Sequence, residues 1–126
     1  MYTLFIYMTY KDRLVNMREN MDNKRRLIGK KIKEIRKKTN LTQDKFSEQI
    51  GIEPQSLSNI ENGKSFPSMQ TVLNIMEKFH TTPQEFFDYE YLKGEEQLES
   101  EIIGIIQKQP YDNKKIIYRL VRQFEV

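Results

Sequence analysis

The stretch SLSNIENGKSFPS, residues 56–68, combines short side chains that can both donate and accept hydrogen bonds. Ser58 carries a hydroxyl and Asn59 an amide, and both groups have donor and acceptor atoms. Lysine and arginine are frequent elsewhere in the chain but do not occur in this stretch before Lys64. The chemistry available to this stretch is recognition through hydrogen bonds.

Residue types suited to catalysis or metal binding are scarce. Cysteine is absent, which excludes disulfides, thiol redox chemistry and cysteine-ligated zinc. The only histidine, His80, has no carboxylate neighbour within residues 78–82, and its expected place is at a helix end near the last carbonyls. There is no glycine-rich phosphate loop and no Ser/His/Asp set. The sequence therefore predicts a protein that is not an enzyme and uses no metal or cofactor.

The length and the charge distribution point to one small domain with an appendage. The chain has 126 residues, too few for two full-sized domains. Residues 24–88 carry 12 Lys/Arg against 8 Asp/Glu, whereas residues 89–126 carry 6 against 7. The densest basic block, NKRRLIGKKIKEIRKK, spans residues 23–38. Such a block is either a solvated helix face or an attraction for polyanions, among which nucleic acid is the commonest.

Residues 1–22 do not match the pattern of the rest of the chain. Their apolar run, residues 4–8, is too short to span a bilayer and lacks the features of a signal peptide, so we expect a cytoplasmic protein. Because Met17 and Met21 lie just ahead of the first strong helix signal, we expect translation to begin at one of them. We expect residues 1–22 to be a poorly ordered N-terminal extension.

After residue 22, apolar residues recur at intervals of three and four, which predicts an all-α chain. Five short helices are expected within residues 23–88, the first ending near Asn40, and together they form a compact domain. The inward-facing residues are predicted to be Ile28, Ile32 and Ile35 in the first helix, Phe46 and Ile50 in the second, Leu57 and Ile60 in the third, and Val72, Leu73, Ile75, Met76 and Phe79 in the fourth.

Capping residues place the helix ends. Thr42 and Ser68 are predicted N-caps, TPQE at residues 82–85 is a capping box, and Pro54 suits the first position of the third helix. Gly51 ends the second helix, and Gly63 ends the third. The second and third helices are thus joined by a three-residue turn containing glycine, which is the helix-turn-helix arrangement.

Residues 89–126 are predicted to form a linker and a C-terminal helical hairpin interrupted at Pro110, with Asp112 able to cap the second helix. Two amphipathic helices of this length cannot bury both apolar faces by themselves. They either pack back onto the first domain, pair with the same hairpin of a second subunit, or bind another protein. The residues assigned to this oligomerisation or partner-binding element are Leu98, Ile102, Ile105, Ile106, Ile116, Ile117, Leu120, Val121 and Phe124.

Residues 41–88, which begin LTQDKF, resemble the lambda-repressor-like, Cro/CI-type helix-turn-helix domain of the XRE family of bacterial and phage regulators. The resemblance rests on Leu-Thr-Gln, on Gly51 between two helices, on Ile-Glu-Asn-Gly-Lys at residues 60–64 and on Pro-Ser at residues 67–68. With the first helix it covers residues 24–88. It implies a compact five-helix lambda-repressor-like DNA-binding domain, followed here by the C-terminal hairpin.

The resemblance also implies which residues meet DNA. The third helix, residues 54–62, is then the recognition helix in the major groove of double-stranded DNA. Base contacts fall on Pro54, Gln55 and Asn59, with Ser58 alongside, and Gln and Asn amides can pair with N6 and N7 of adenine. Pro54 departs from the polar residue often found there, so it contacts a thymine methyl group or reads no base.

Two further sets of residues follow from the same resemblance. Arg36 and Glu61 match a pair that forms a structural salt bridge in relatives. His80 stands where the family often has glycine, and Ser47 where it often has alanine. The residues implied to contact phosphates are Gln43, Ser56, Asn62 and Lys64.

The function that the resemblance implies is sequence-specific transcriptional regulation. Such a regulator, commonly a repressor, binds a palindromic operator as a homodimer with half-sites about one helical turn apart. The hairpin motivates an alternative, an antitoxin or antirepressor-like protein that binds a protein partner and uses DNA binding as an auxiliary activity. Both hypotheses predict a protein without membrane contact.

Overall fold

The computed structural model describes residues 2–125, including the side chains of all of these except residues 2, 5, 7 and 8. Within that part the chain is helical and contains no strand, so the prediction of an all-α fold is confirmed. The α-helices are α1 (Tyr2–Lys38), α2 (Gln43–Ile50), α3 (Pro54–Glu61), α4 (Met69–Lys78), α5 (Pro83–Phe87), α6 (Glu95–Gln107) and α7 (Tyr111–Val121), and the 3-10 helices are Glu90–Leu92 and Arg122–Phe124.

The chain folds into two compact units that divide after Leu92. The sequence predicts the end of the first domain at residue 88. In the structure the 3-10 helix Glu90–Leu92 contacts α1, and Lys30 Nζ donates a hydrogen bond of 3.2 Å to the carbonyl of Leu92. These contacts place residues 89–92 with the N-terminal unit.

The N-terminal part of α1 differs from the poorly ordered extension that the sequence pattern predicts for residues 1–22. The structure places residues 2–22 in the same helix as the basic block, while Met1 lies outside the described residues. No glycine or proline precedes Gly29, so nothing in the sequence breaks the helix. Asp22 and Arg25 add an ion pair of 2.9 Å across one turn. The described side chains of residues 3–22 are exposed or half-exposed, and the core lies elsewhere.

The core of the N-terminal unit is formed by apolar residues of α1 to α5. Phe46 is fully buried, and its ring stacks on Phe79 with centroids 4.7 Å apart. Each fully buried side chain of this kind contributes about 1.5–3 kcal/mol. The buried cluster consists of Ile32, Ile35, Phe46, Ile50, Leu57, Ile60, Val72, Ile75 and Phe86.

One predicted core position, Leu73, is wrong. Leu73 is 53% exposed, because it lies on the side of α4 that also carries the exposed Met69, one turn earlier. In α1, Leu27 is fully buried whereas Ile28 is only partly buried against the core. The buried face of α1 therefore begins at Leu27.

The predicted N-caps of α2, α4 and α5 are confirmed. Thr42 Oγ1 accepts a hydrogen bond from the amide of Lys45, and Ser68 Oγ accepts one from the amide of Thr71. Thr82 forms a reciprocal capping box with Glu85. The predicted cap at Asp112 is wrong, since α7 begins at Tyr111 with Pro110 at the N-cap position, and Asp112 lies in the first turn of the helix.

Left-handed backbone conformations end four segments of the N-terminal unit. Gly51 has φ 77° and Gly63 has φ 74°, as their predicted roles require. Asn40 (φ 58°) and His80 (φ 52°) adopt the same conformation with a side chain attached. His80 is thus a helix-end residue, but one held in a region that favours glycine.

The C-terminal unit contains α6 and α7, joined by residues 108–110. None of its described residues, 93–125, is buried. Across residues 2–125, no helix combines the length and the apolar character needed to traverse a bilayer.

Candidate nucleic-acid interface

The α2–turn–α3 segment is fixed by glycine geometry and by burial. Gly51 and Ile52 donate their amide hydrogens to the carbonyl of Ser47, which closes the end of α2. Pro54 then opens α3 at a position where a helix needs no amide donor. Leu57 and Ile60 face the core, so the opposite side of α3 faces solvent.

That solvent side of α3 carries the residues implied to contact bases. Pro54 and Gln55 are exposed, and Ser58 and Asn59 are half-buried. Gln55 Nε2 donates a hydrogen bond of 3.2 Å to Asn59 Oδ1, one turn along the helix. The pair leaves the Gln55 carbonyl oxygen as an acceptor and the Asn59 amide nitrogen as a donor. This donor and acceptor combination is complementary to the major-groove edge of adenine.

Glu61 holds three helices together behind this face. Its carboxylate is buried and accepts hydrogen bonds from Arg36 Nε at 2.6 Å and from Arg36 Nη2 at 3.3 Å. Gln43 Nε2 donates a third at 2.6 Å. Arg36 also donates to the carbonyl of Leu41, at 3.1 Å. The buried charge is thus fully paired, as a buried carboxylate requires, and α1, α2 and α3 are fixed relative to one another.

The bond to Glu61 changes what Gln43 can do. Its side-chain amide is committed to the interior of the domain. Gln43 is, however, the first residue of α2, where amide hydrogens have no helical acceptor and the helix dipole favours an anion. The part of Gln43 that is left to bind an anion is therefore its backbone amide and not its side chain.

The remaining residues implied to contact phosphates lie on α3 and just after it. Ser56, Asn62 and Lys64 are exposed. Asn62 Nδ2 lies 3.4 Å from Ser58 Oγ, and the amide of Lys64 donates to the carbonyl of Asn59 at 2.8 Å. The structure therefore places Asn62 beside Ser58 and the backbone of Lys64 beside that of Asn59, whereas Ser56 lies in the first turn of α3 next to Gln55.

The basic block of α1 packs with its backbone close to the C-terminal end of α3. A Cβ atom on Gly29 would lie 2.1 Å from the carbonyl oxygen of Ile60, so only glycine fits here. One turn earlier, Arg25 Nε donates a hydrogen bond of 2.7 Å to the carbonyl of Gly63. A Cβ on Gly63 would also meet Arg26 Cγ at 2.9 Å. Exposed Arg26 is therefore adjacent to the loop that carries Lys64.

Arg26 is a candidate that the sequence pattern does not single out. The basic block is visible as a whole, but charge alone cannot tell which of its members lies near α3. The only signal is Gly29, since an isolated glycine inside a helix usually marks a close packing contact.

A second polar network joins α1 to the 3-10 helix at residues 90–92. Lys31 Nζ donates to the Tyr91 hydroxyl at 2.8 Å, and that hydroxyl donates to Glu34 at 2.8 Å. Lys38 Nζ lies 3.1 Å from Glu34. Partial burial raises the pKa of Glu34, but the hydrogen bonds from Tyr91 and Lys38 outweigh it, so the pKa lies below its ordinary value. The same bond raises the pKa of Lys38.

A family model described as a helix-turn-helix domain matches residues 29–92, which are 64 of the 126 residues. The chain belongs to this helix-turn-helix domain family. The matched region begins at Gly29 and includes the 3-10 helix that carries Tyr91, in agreement with the N-terminal unit seen in the structure.

Two curated proteins are similar to this helix-turn-helix chain. Antitoxin PezA of Streptococcus pneumoniae serotype 4 is 43% identical over 56 residues, which cover 44% of this chain and 35% of PezA. The HTH-type transcriptional activator BcrR of Enterococcus faecalis is 29% identical over 94 residues, which cover 75% of this chain and 41% of BcrR. The chain thus spans less than half the length of either relative. No solved structure matches it.

Proposed function

We propose that this helix-turn-helix protein is a sequence-specific DNA-binding transcriptional regulator of the Cro/CI type. The observation that carries the proposal is the solvent face of α3, where Gln55 and Asn59 form a hydrogen-bonded amide pair. The buried Glu61 pairing supports it, because a reader of base edges must be held rigidly. Since the chain would act on DNA, we propose a cytoplasmic location.

Specificity rests on four residues of α3 in this proposal. Gln55 and Asn59 pair with an adenine, accepting from N6 and donating to N7. Ser58 lies between them and bonds a neighbouring base edge. Pro54 has no side-chain donor or acceptor, so its ring contacts a thymine methyl group.

Affinity and register rest on contacts with phosphates, which carry no sequence information. The backbone amide of Gln43 binds a phosphate at the start of α2. Lys64 contributes a charge, and Ser56 and Asn62 contribute neutral hydrogen bonds. Arg26 extends this set, because it is exposed beside the loop that carries Lys64.

The proposed active form is a homodimer that represses by occluding a promoter. A two-fold symmetric dimer reads a palindromic operator, with half-sites about one helical turn apart. The exposed apolar residues of α6 and α7 assigned to oligomerisation support a dimer, because free apolar faces of this size require a partner. The relative BcrR is named an activator, and a promoter–reporter assay with and without the protein distinguishes repression from activation.

A second candidate function is that of an antitoxin whose DNA binding is auxiliary. It is favoured by the relative PezA, which is named an antitoxin and matches over 56 residues. In that case the exposed faces of α6 and α7 bind a protein of different sequence. Purification from the native host decides: a stoichiometric foreign partner supports this candidate, whereas a homodimer supports the first.

Selection of bound sequences from a random duplex DNA pool tests the main proposal. We expect enrichment of a palindrome whose half-sites contain adenine opposite the Gln55–Asn59 pair. The selection should be run at low and at physiological salt, since phosphate contacts weaken steeply as salt rises. A pool without enrichment under both conditions would contradict sequence-specific binding.

A further inference from the structure

The C-terminal unit presents two apolar helix faces that the single chain leaves uncovered. In α6, Ile102 is 47% exposed and Ile105 is 59% exposed; in α7, Ile116 is 58% and Leu120 is 61% exposed. Leu98 and Ile106 of α6 and Ile117 of α7 are half-buried. The exposed part of each face still lacks the packing partner that an amphipathic helix needs in water.

The two helices also carry opposite charges. α6 contains four glutamates and no lysine or arginine, whereas the segment 111–124 contains four basic residues and one aspartate. Glu99 and Glu101 flank the apolar stripe of α6 on its two sides, at helical spacing. Lys114 and Arg119 are the basic residues nearest to the stripe of α7. A helix with the charge of α7 is thus complementary to α6.

We propose that α6 of one copy packs on α7 of a second copy, so that two C-terminal units form an intermolecular four-helix bundle. Packing α6 on α6 would bring like carboxylates together, and packing α7 on α7 would do the same with the basic groups. The crossed arrangement covers both apolar stripes and places each acidic flank beside a basic one.

The apolar area is sufficient for a stable dimer. Six apolar side chains of the two stripes are between 47% and 84% exposed: Ile102, Ile105, Ile116, Leu120, Val121 and Phe124. A standard specific interface takes about 800 Å² from each partner, and somewhat more than half of that area is apolar, which six such half-exposed side chains can supply. The inference deepens the proposed homodimer by naming the face that each helix meets, and it does not depend on DNA binding.

Charge reversal tests the crossed arrangement by sedimentation without DNA. We expect Glu99→Lys/Glu101→Lys to raise the dimer dissociation constant at least tenfold, since both symmetry-related contacts are affected. Lys114→Glu/Arg119→Glu should do the same. The chain that carries all four substitutions should dimerise about as tightly as the wild type, because every pair is again of opposite sign.

The combined variant also separates the crossed arrangement from local effects. Glu101 forms an ion pair of 2.5 Å with Lys93, which is lost in the α6 variant and in the combined variant alike. Recovery of the dimer in the combined variant therefore cannot come from that pair. Glu96→Lys is a matched control, because residue 96 lies on the side of α6 away from the stripe, and it should leave the dissociation constant within about twofold.

Three outcomes overturn the inference, and each is distinct from a failure of DNA recognition. A wild-type protein that stays monomeric at 100 µM has no such bundle. Unchanged dissociation constants in both double variants indicate another packing of the dimer. If the double variants dimerise more weakly but the combined variant does not regain the wild-type dissociation constant, α6 and α7 do not face each other. A protein that passes this test but enriches no DNA sequence would contradict only the proposed function.

Discussion

Arg36 and Glu61, 25 positions apart in the sequence, form an ion pair of 2.6 Å in which the carboxylate side chain is only 1% exposed. We expect Arg36→Met to lower the free energy of unfolding by about 3–5 kcal/mol, because Glu61 then remains as a buried charge without its main partner. Urea denaturation followed by circular dichroism measures the change.

Two comparisons isolate the buried pair. The double variant Arg36→Met/Glu61→Met should lower the free energy of unfolding by clearly less than the two single variants do in sum, since it leaves no unpaired charge. Lys37→Met removes an adjacent exposed charge and should change stability by less than about 0.5 kcal/mol. Equal effects of Arg36→Met and Lys37→Met would contradict a stabilising role for the pair.

The amide pair of α3 predicts coupled losses of specificity. Gln55→Ala and Asn59→Ala should each cost about 1–3 kcal/mol at the cognate site, because each removes part of one base contact. Since Gln55 donates a hydrogen bond to Asn59, the double variant should lose less binding free energy at the cognate site than the two single variants lose in sum. Fluorescence anisotropy with cognate and random duplexes measures both quantities.

Gln49→Ala provides the matched control for this cycle. Gln49 is an exposed amide on α2, outside the solvent face of α3. It should bind cognate and random DNA as the wild type does. Strictly additive losses at Gln55 and Asn59 would show that the two amides read separate bases.

Arg26 predicts a change in the salt dependence of DNA binding. If it neutralises one phosphate, Arg26→Gln should reduce the slope of log K against log salt by about 0.9. It should weaken cognate and random DNA to the same degree, because phosphate contacts do not read sequence. Lys78→Gln, an exposed charge at the end of α4, should leave the slope unchanged. A slope that is unaffected in Arg26→Gln places the residue outside the interface.

The fold of the N-terminal unit could be predicted because local signals and burial agree there. The spacing of Phe46, Ile50, Leu57 and Ile60 marks the inner faces of α2 and α3, and all four are buried. Caps and glycines set where these helices end. α4 is harder to predict, since it is apolar on more than one side and periodicity cannot show that Leu73 faces solvent.

The parts that could not be predicted depend on contacts distant in sequence. Charge alone did not distinguish Arg26 from the other basic residues of α1, because its place is set by the packing of Gly29 on Ile60. The commitment of the Gln43 amide to Glu61 has no sequence signal, since Gln at a helix start is equally able to face DNA. Likewise, nothing local indicates that Tyr91 returns to α1.

His80 predicts a gain in stability on substitution by glycine. Its φ of 52° is unfavourable for a residue with a Cβ atom. We expect His80→Gly to raise the free energy of unfolding by about 0.5–1 kcal/mol, the released strain exceeding the entropy cost of glycine. His80→Ala retains the strain and should give no gain. If alanine stabilises as much as glycine in urea denaturation, the imidazole and not the backbone is responsible.

The Tyr91 network predicts a pH-dependent contribution to stability. Tyr91→Phe removes the hydroxyl that bonds Lys31 and Glu34 and should cost about 1 kcal/mol at neutral pH. The folded pKa of Glu34 lies below the ordinary value of 4.5, so its stabilising effect is complete above that pH and is lost as pH falls through the folded pKa. The difference in the free energy of unfolding between wild type and Tyr91→Phe should therefore become smaller as the pH is lowered from 7 to 3, as measured by urea titration at each pH. Tyr118→Phe, which removes a hydroxyl that accepts an exposed hydrogen bond from Arg122, should show a small difference in the free energy of unfolding that does not change with pH. A Tyr91→Phe gap of constant size would mean that the hydroxyl acts through Lys31 and not through the Glu34 carboxylate.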